Sequence, residues 1–278
     1  MSARRSRTHG NQQEARRADA DPRPRIGIVL VHEMIAAERR HMADLFAGLT
    51  AEQLTRQSLC DAWTMHEVAA HLATYLRFGK LKIAGCMLAC AGDFAPGNQM
   101  LARWYARRPT AGLIELLRRH AESRTTPPRS GYDPMLADLV LHDLDVRIPL
   151  GIPRQIPEDR LAVTFNLLGT VPSPGFAVGT RLRGLRFETT DTGWTAGAGA
   201  VVRGPAEAVV MAMSGRTAAW ADLTGDGAGL LRNRISQETV IPVRDRLRAM
   251  TATLLRPPDR RSRDAGPPDL VGDQRPPA

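Results

Sequence analysis

The chain has 278 residues, 43% hydrophobic and 5% aromatic, with a formal charge of +9 and 36 arginines against two lysines, Lys80 and Lys82. That is apolar material for one or two globular domains and excludes a wholly disordered chain. The charge excludes a broad basic groove as well: residues 1–25 contribute +4 and residues 256–278 contribute +1, leaving +4 over the 230 residues between. Nucleic-acid binding would therefore rest on the N-terminal arm alone, and it is not expected. No apolar run approaches the roughly 18 residues of a membrane span, and the Arg-rich N-terminus has no apolar core of a secretory signal. Three cysteines, Cys60, Cys86 and Cys90, form no even framework. Reduced thiols in a soluble cytoplasmic protein are expected. The preference for arginine over lysine suggests a GC-rich genome.

Residues 1–25 are polar and aperiodic and read as a disordered basic arm. Four helices are then predicted over 26–151. The first runs from Ile28 to about Leu49 on the 3–4 spacing of Val31, Met34, Ile35, Met42, Leu45 and Phe46. The second opens at a capping box, Thr64 with Glu67, and continues through Val68, His71, Leu72 and Tyr75 toward Cys90. The third covers Asn98 to about Ser123, kinked or divided at Pro109, and the fourth runs from Pro134 to Arg147, stopped by Pro149 and Gly151. Such a set suits an antiparallel four-helix bundle.

Beyond Gly151 the pattern changes to α+β over 152–233: a helix at Glu158–Leu168, strands at Gly184–Thr189 and Val201–Arg203, a helix at Ala206–Met213 and a short one around Thr217–Leu223. An extra helix is expected within 234–255, with its amphipathic stretch at Val243–Leu255. A Pro- and Arg-rich tail, residues 256–278, reads as disordered.

The residues that carry chemistry are few. Asp138 and His142 stand four apart on the fourth helix and so point the same way. Such a pair is either an ion pair on the helix or half of a metal site. His71 lies on the apolar face of the second helix, where an imidazole needs a partner. Two histidines and a carboxylate make a plausible set for Zn²⁺ or another divalent transition ion. Cys86 and Cys90 read as small buried hydrophobes rather than a redox pair. The glycines spell no nucleotide-binding loop, and there is no G-x-S-x-G.

Leu59-Cys60-Asp61-Ala62-Trp63-Thr64 followed by Glu67-Val68-Ala69-Ala70-His71-Leu72 resembles the "LC-x-GW-T…V-x-HL" segment of the mycothiol-dependent maleylpyruvate isomerase family. His142-Asp143-Leu144-Asp145-Val146-Arg147-Ile148-Pro149-Leu150-Gly151 is similar to its "H-x-x-D-I-R-R-P-L-G" segment. Gly184-Leu185-Arg186-Phe187, Asp191-Thr192-Gly193-Trp194, Arg203-Gly204-Pro205-Ala206-Glu207-Ala208, Met213-Ser214-Gly215-Arg216 and Leu223-Thr224-Gly225-Asp226-Gly227 resemble its C-terminal domain. The resemblance covers roughly residues 28–230. It implies a DinB-like four-helix bundle followed by a small α+β (SCP2-like) domain, with metal ligands at His71, Asp138 and His142.

Asp138 departs from the family's glutamate, and Ala62 from its glycine. The resemblance also implies mycothiol as thiol cosubstrate, with a divalent metal, zinc first, activating the sulfur toward a small electrophile. For maleylpyruvate the thiol would add to the cis double bond, the new single bond would rotate, and elimination would give fumarylpyruvate. A dianionic substrate of that kind calls for a guanidinium, for which Arg216 is the candidate and Arg103 a second. An isomerase or thiol S-transferase is the expected activity. The alternative is a non-catalytic binding or regulatory protein that keeps the bundle.

Overall fold

A computed structural model describes residues 28–61, 63–77, 94–126, 131–170 and 179–240. The basic arm, the C-terminal tail, the continuation of the second helix toward Cys90, Cys86 and Cys90 themselves, and the helix expected at Val243–Leu255 lie outside the described residues.

Helix α1 spans Ile28–Ala47. Thr50 and Gln53 then cap one another reciprocally, at 2.9 and 3.1 Å, and start a short helix α2, Ala51–Thr55, that periodicity alone did not reveal. The capping box predicted at Thr64 is present. Its backbone N–H donates to Glu67 Oε2 at 2.9 Å, the Glu67 N–H donates back to Thr64 Oγ1 at 3.3 Å, and α3 runs Met65–Arg77. Pro109 divides the third predicted helix. α4 covers Phe94–Tyr105 and α5 covers Thr110–Arg119, because a proline at the N-cap position starts a helix but cannot continue one. Helix α6, Tyr132–Arg147, begins two residues earlier than predicted and passes into a 3₁₀ turn, Ile148–Leu150, that ends at Gly151 with φ +65°.

α1 packs on α5 and α6, and α3 packs on the same two, which closes a four-helix ring with α4 lying against α3. α6 receives a further helix, α7 (Glu158–Thr170), on another side. It is consequently buried almost all round from Met135 to Arg147 and shows no apolar stripe. Its polar residues His142, Asp143, Asp145 and Arg147 are all interior and must find partners there.

A short helix α8, Gly179–Leu182, precedes a three-stranded sheet of order β2-β1-β3. β1 is Leu185–Thr189, β2 Thr195–Gly197 and β3 Ala200–Gly204. β1 and β2 are antiparallel, β1 and β3 parallel. Only two residues link β2 to β3, so the chain must pass beneath the start of β1. Gly199, at φ +122°, makes this possible: a Cβ there would stand 2.1 Å from the Gly184 carbonyl oxygen. Helix α9, Ala206–Met213, coincides with its predicted span and packs on β1, β3 and α7. A 3₁₀ turn at Trp220–Asp222 and helix α10, Asp226–Val240, follow. The molecule is thus mostly helical, a helical bundle followed by a small α+β region. Of the described residues, those through Asn233 fall in one compact unit and those from Arg234 to Val240 in another. Among the described residues no helix is long and apolar enough to cross a membrane.

Candidate metal centre

α3 and α6 cross inside the ring and bring His71, Asp138 and His142 together. One ligand atom from each lies within 4.8 Å of the others. His71 Nε2 stands 3.1 Å from Asp138 Oδ2 and 3.4 Å from Oδ1, and His142 Nε2 is 3.5 Å from the same Oδ1. Asp138 Oδ1 therefore sits at nearly equal distance from two imidazole nitrogens. Four ligands at about 2.0–2.1 Å from a tetrahedral zinc are about 3.3–3.4 Å apart. The two Asp138–His distances approach that edge, and two imidazoles with one carboxylate are a donor set of the kind that suits a divalent transition ion.

The two histidines are supported differently. His71 is fully buried, stacked under Trp63 at 4.4 Å with an interplanar angle of 21°, and met edge-on by Tyr75 at 6.0 Å. Tyr75 is itself held by its hydroxyl, which donates to Asn98 Oδ1 at 3.1 Å. Neither His71 Nδ1 nor Trp63 Nε1 has a hydrogen-bond partner among the described residues. His142, by contrast, places Nδ1 2.9 Å from Asp145 Oδ2. Asp145 is fully buried and takes Arg216 Nε at 2.6 Å on Oδ1 and Nη2 at 2.7 Å on Oδ2.

The charges follow from these neighbours. Burial works to raise the pKa of Asp138, but His71 and His142 overcome it and hold the carboxyl well below the usual range. Burial likewise opposes a charge on His142, yet Asp138 and then Asp145 push the imidazole up to about 9. Asp145 is held at about 2, with Arg216 and His142 outweighing the cost of burial. Without a cation the site therefore keeps a proton between its carboxylates. A divalent ion would replace that proton with a larger charge.

Arg216 reaches this site through a local device. α9 ends in a Schellman motif: the Gly215 N–H donates to the Ala212 carbonyl at 3.0 Å and the Arg216 N–H to the Met211 carbonyl at 2.9 Å. Gly215 has φ +86°, the left-handed conformation that this cap requires. The turn sends the Arg216 side chain to α6. Arg103, the second arginine candidate, is exposed on α4 and makes none of these contacts. His66 is tied to Thr110 Oγ1 at 2.9 Å and the Ala106 carbonyl at 2.8 Å, a link between α3 and α5.

Sequence reasoning missed two participants. Asp145 follows His142 by three residues on one helix, a spacing that itself signals contact. The stack of Trp63 on His71 had no comparable signal, since Trp63 precedes the helix.

Fold and site define a helical bundle with a His–Asp–His cluster inside it and an α+β region that supplies one arginine to that cluster. Residues 35–147 match the family model of the mycothiol maleylpyruvate isomerase N-terminal domain. Two solved structures of the mycothiol-dependent maleylpyruvate isomerase, one of them a His-to-Ala mutant, resemble it at TM-score 0.50 and 14% identity, over 73% of this chain and 94% of theirs. At that identity the likeness is one of fold. A search of curated proteins gives no match.

Proposed function

We propose that the protein is a metal- and mycothiol-dependent enzyme that promotes attack of the thiol on a small, anionic electrophile, as an isomerase of the maleylpyruvate type or a thiol S-transferase. The observation that carries this reading is the convergence of His71, Asp138 and His142 within 4.8 Å inside a bundle of the family named above. His71 and His142 would each offer Nε2, and Asp138 a carboxylate oxygen. A divalent ion held there, zinc first, supplies Lewis acidity that favours the thiolate of a bound thiol at neutral pH.

The chain's own residues do the rest. Trp63 and Tyr75 fix the ring of His71. Asp138 keeps 19% of its side chain exposed while His71 and His142 keep 2% and 7%, so thiol and electrophile approach past the carboxylate. The buried walls exclude water from the thiolate. Arg216 spends Nε–H and one Nη2–H on Asp145, so an anionic substrate would meet its Nη1 hydrogens and the second Nη2 hydrogen. The proposed setting is the cytoplasm, where a low-molecular-weight thiol stays reduced.

The test is metal content of protein purified without chelators, followed by turnover of maleylpyruvate and a panel of electrophiles with and without mycothiol. About one equivalent of metal and thiol-dependent turnover are expected, both lost in His142→Ala. A parent that takes up no divalent metal would sink the reading.

A further inference from the structure

The pair of half-buried Arg216 with buried Asp145 is bidentate and set 2.9 Å from the nitrogen of His142 that faces away from Asp138. An ionised carboxylate only accepts hydrogen bonds, so a contact at this distance requires the proton to be on Nδ1. Free neutral imidazole prefers the other tautomer, with the proton on Nε2. Once the ring is neutral, this leaves the lone pair on Nε2, the nitrogen that faces Asp138. His71 has no such partner on its own remote nitrogen among the described residues.

We propose that Asp145 and Arg216 are positioning residues: Asp145 fixes the proton of His142 on Nδ1 and aims its Nε2 lone pair into the cluster, and Arg216 fixes Asp145. The pair also explains why a residue 71 positions from Asp145 in sequence is delivered there by a glycine-dependent helix cap. With both carboxylate oxygens bridged by Nε and Nη2, Asp145 cannot rotate toward another donor, and its charge is balanced without drawing on the metal ligands. The α+β region thereby sets the geometry of a side chain in the bundle. On this assignment Arg216 acts on His142 through Asp145, with two of its five N–H donors.

The inference rests on the proposed function only in treating Nε2 as the ion-holding atom, and its first test needs no metal. Long-range ¹⁵N–¹H correlations of the His142 ring, recorded in metal-free protein above the pH at which the ring loses its charge, should show the proton on Nδ1. In Asp145→Asn the side-chain amide can donate to Nδ1, and the proton should move to Nε2. Arg216→Gln should keep the Nδ1 proton. Competition with a chromogenic chelator should show zinc affinity about 10–100-fold weaker in Asp145→Asn, the usual range for loss of a ligand's hydrogen-bond partner, and less affected in Arg216→Gln.

A parent ring with its proton on Nε2 overturns the assignment, whatever the variants do. So does an Asp145→Asn protein with unchanged tautomer and zinc affinity within twofold of the parent. If the parent shows the Nδ1 proton yet binds no zinc, the tautomer assignment holds and the metal-dependent function fails. Should Asp145→Asn not fold, the parent spectrum and Arg216→Gln still decide.

Discussion

Helix α6 carries two buried polar clusters on opposite faces, and they differ in how their charges are matched. On one face Asp143, with no exposure, receives His41 Nε2 at 2.8 Å, Arg147 Nε at 2.8 Å and Arg154 Nη1 at 3.1 Å. Arg154 continues to both oxygens of Glu38, at 2.9 and 2.8 Å, and Arg147 pairs with Glu207 at 2.5 Å. Cations and anions alternate, and every charged centre has an opposite neighbour. That network ties α1, the segment after the 3₁₀ turn and α9 to the middle of the bundle.

On the other face, Asp138 and His142 of one helical row turn toward His71, whose Nδ1 has neither a hydrogen bond nor an ion pair among the described residues. Arg147 Nη2 and Arg154 Nη1 on the first face, also without a hydrogen bond, each lie in an ion pair. A core built only for stability pairs its buried polar atoms. The first cluster reads as an anchor. The second reads as a site.

Removing a carboxylate from each face should separate these roles. Asp143→Ala deprives the buried Arg147 guanidinium, the half-buried Arg154 guanidinium and an imidazole of a shared acceptor. Loss of one partner of a buried ion pair costs about 3–5 kcal/mol. Because Arg154 retains Glu38 and Arg147 retains Glu207, a loss of about 3 kcal/mol is expected by urea unfolding. Zinc affinity of the folded protein should be unchanged. A variant as stable as the parent would show that the Asp143 network anchors nothing.

The second face should respond to metal and pH. Zinc at a hundred times its Kd stabilises a binding protein by about 2.7 kcal/mol, and that increment should vanish in His142→Ala. The pH dependence has opposite signs with and without metal. Since the folded pKa of His142 is raised to about 9 from an ordinary value of 6.5, its charged form stabilises the metal-free fold fully below about pH 6.5. That contribution is lost as the pH rises through 9. Over the same window zinc affinity rises, because the ion competes with the proton for Nε2. Thermal unfolding with and without zinc between pH 6 and 10 reads both trends. Parallel curves would remove His142 from the metal set.

How much of this was legible in the sequence differs between the two faces for a physical reason. Local signals carried the helices: the Thr64–Glu67 box, the division at Pro109 and the i,i+4 step from Asp138 to His142 are all set within one or two turns. α6 has no apolar stripe because neighbours cover it on nearly every side, so periodicity could not tell its faces apart. Asp143 stands four residues before Arg147, which spacing alone can show, but its other partners come from residues 41 and 154, and the guanidinium on Asp145 from residue 216. Such pairings depend on tertiary packing and leave no spacing to read. β2 escaped notice because it is three residues, Thr195-Ala196-Gly197, with no alternating pattern and a glycine at its end.

The departure at 138 sharpens the comparison further. Asp138 Oδ1 already stands 3.4 and 3.5 Å from the two Nε2 atoms, close to the edge of a tetrahedral zinc shell. Asp138→Glu adds a methylene and carries the carboxylate past that position. Zinc affinity should fall by up to about tenfold, equivalent to about 1.4 kcal/mol, in the same chelator competition. Tighter binding by the glutamate variant would mean that the crossing of α3 and α6 is set for the longer side chain.

The smallest effect should come from the cap that delivers Arg216. Gly215 adopts φ +86°, where an L-residue with a Cβ loses roughly 1–2 kcal/mol. A Cβ there would also meet Arg181 Nη1 at 2.5 Å, but that is the end of a flexible side chain and can move. Gly215→Ala should therefore destabilise by only about 1 kcal/mol. Its diagnostic value lies in where the strain goes. If the turn relaxes by releasing the Arg216 N–H from the Met211 carbonyl, the guanidinium shifts on Asp145, and zinc affinity drops although no residue of the α6 row has been touched. The Asp143 network has no such dependence on Gly215. A stability loss with unchanged zinc affinity would place the compliance in the loop and leave the hold of Arg216 on Asp145 intact.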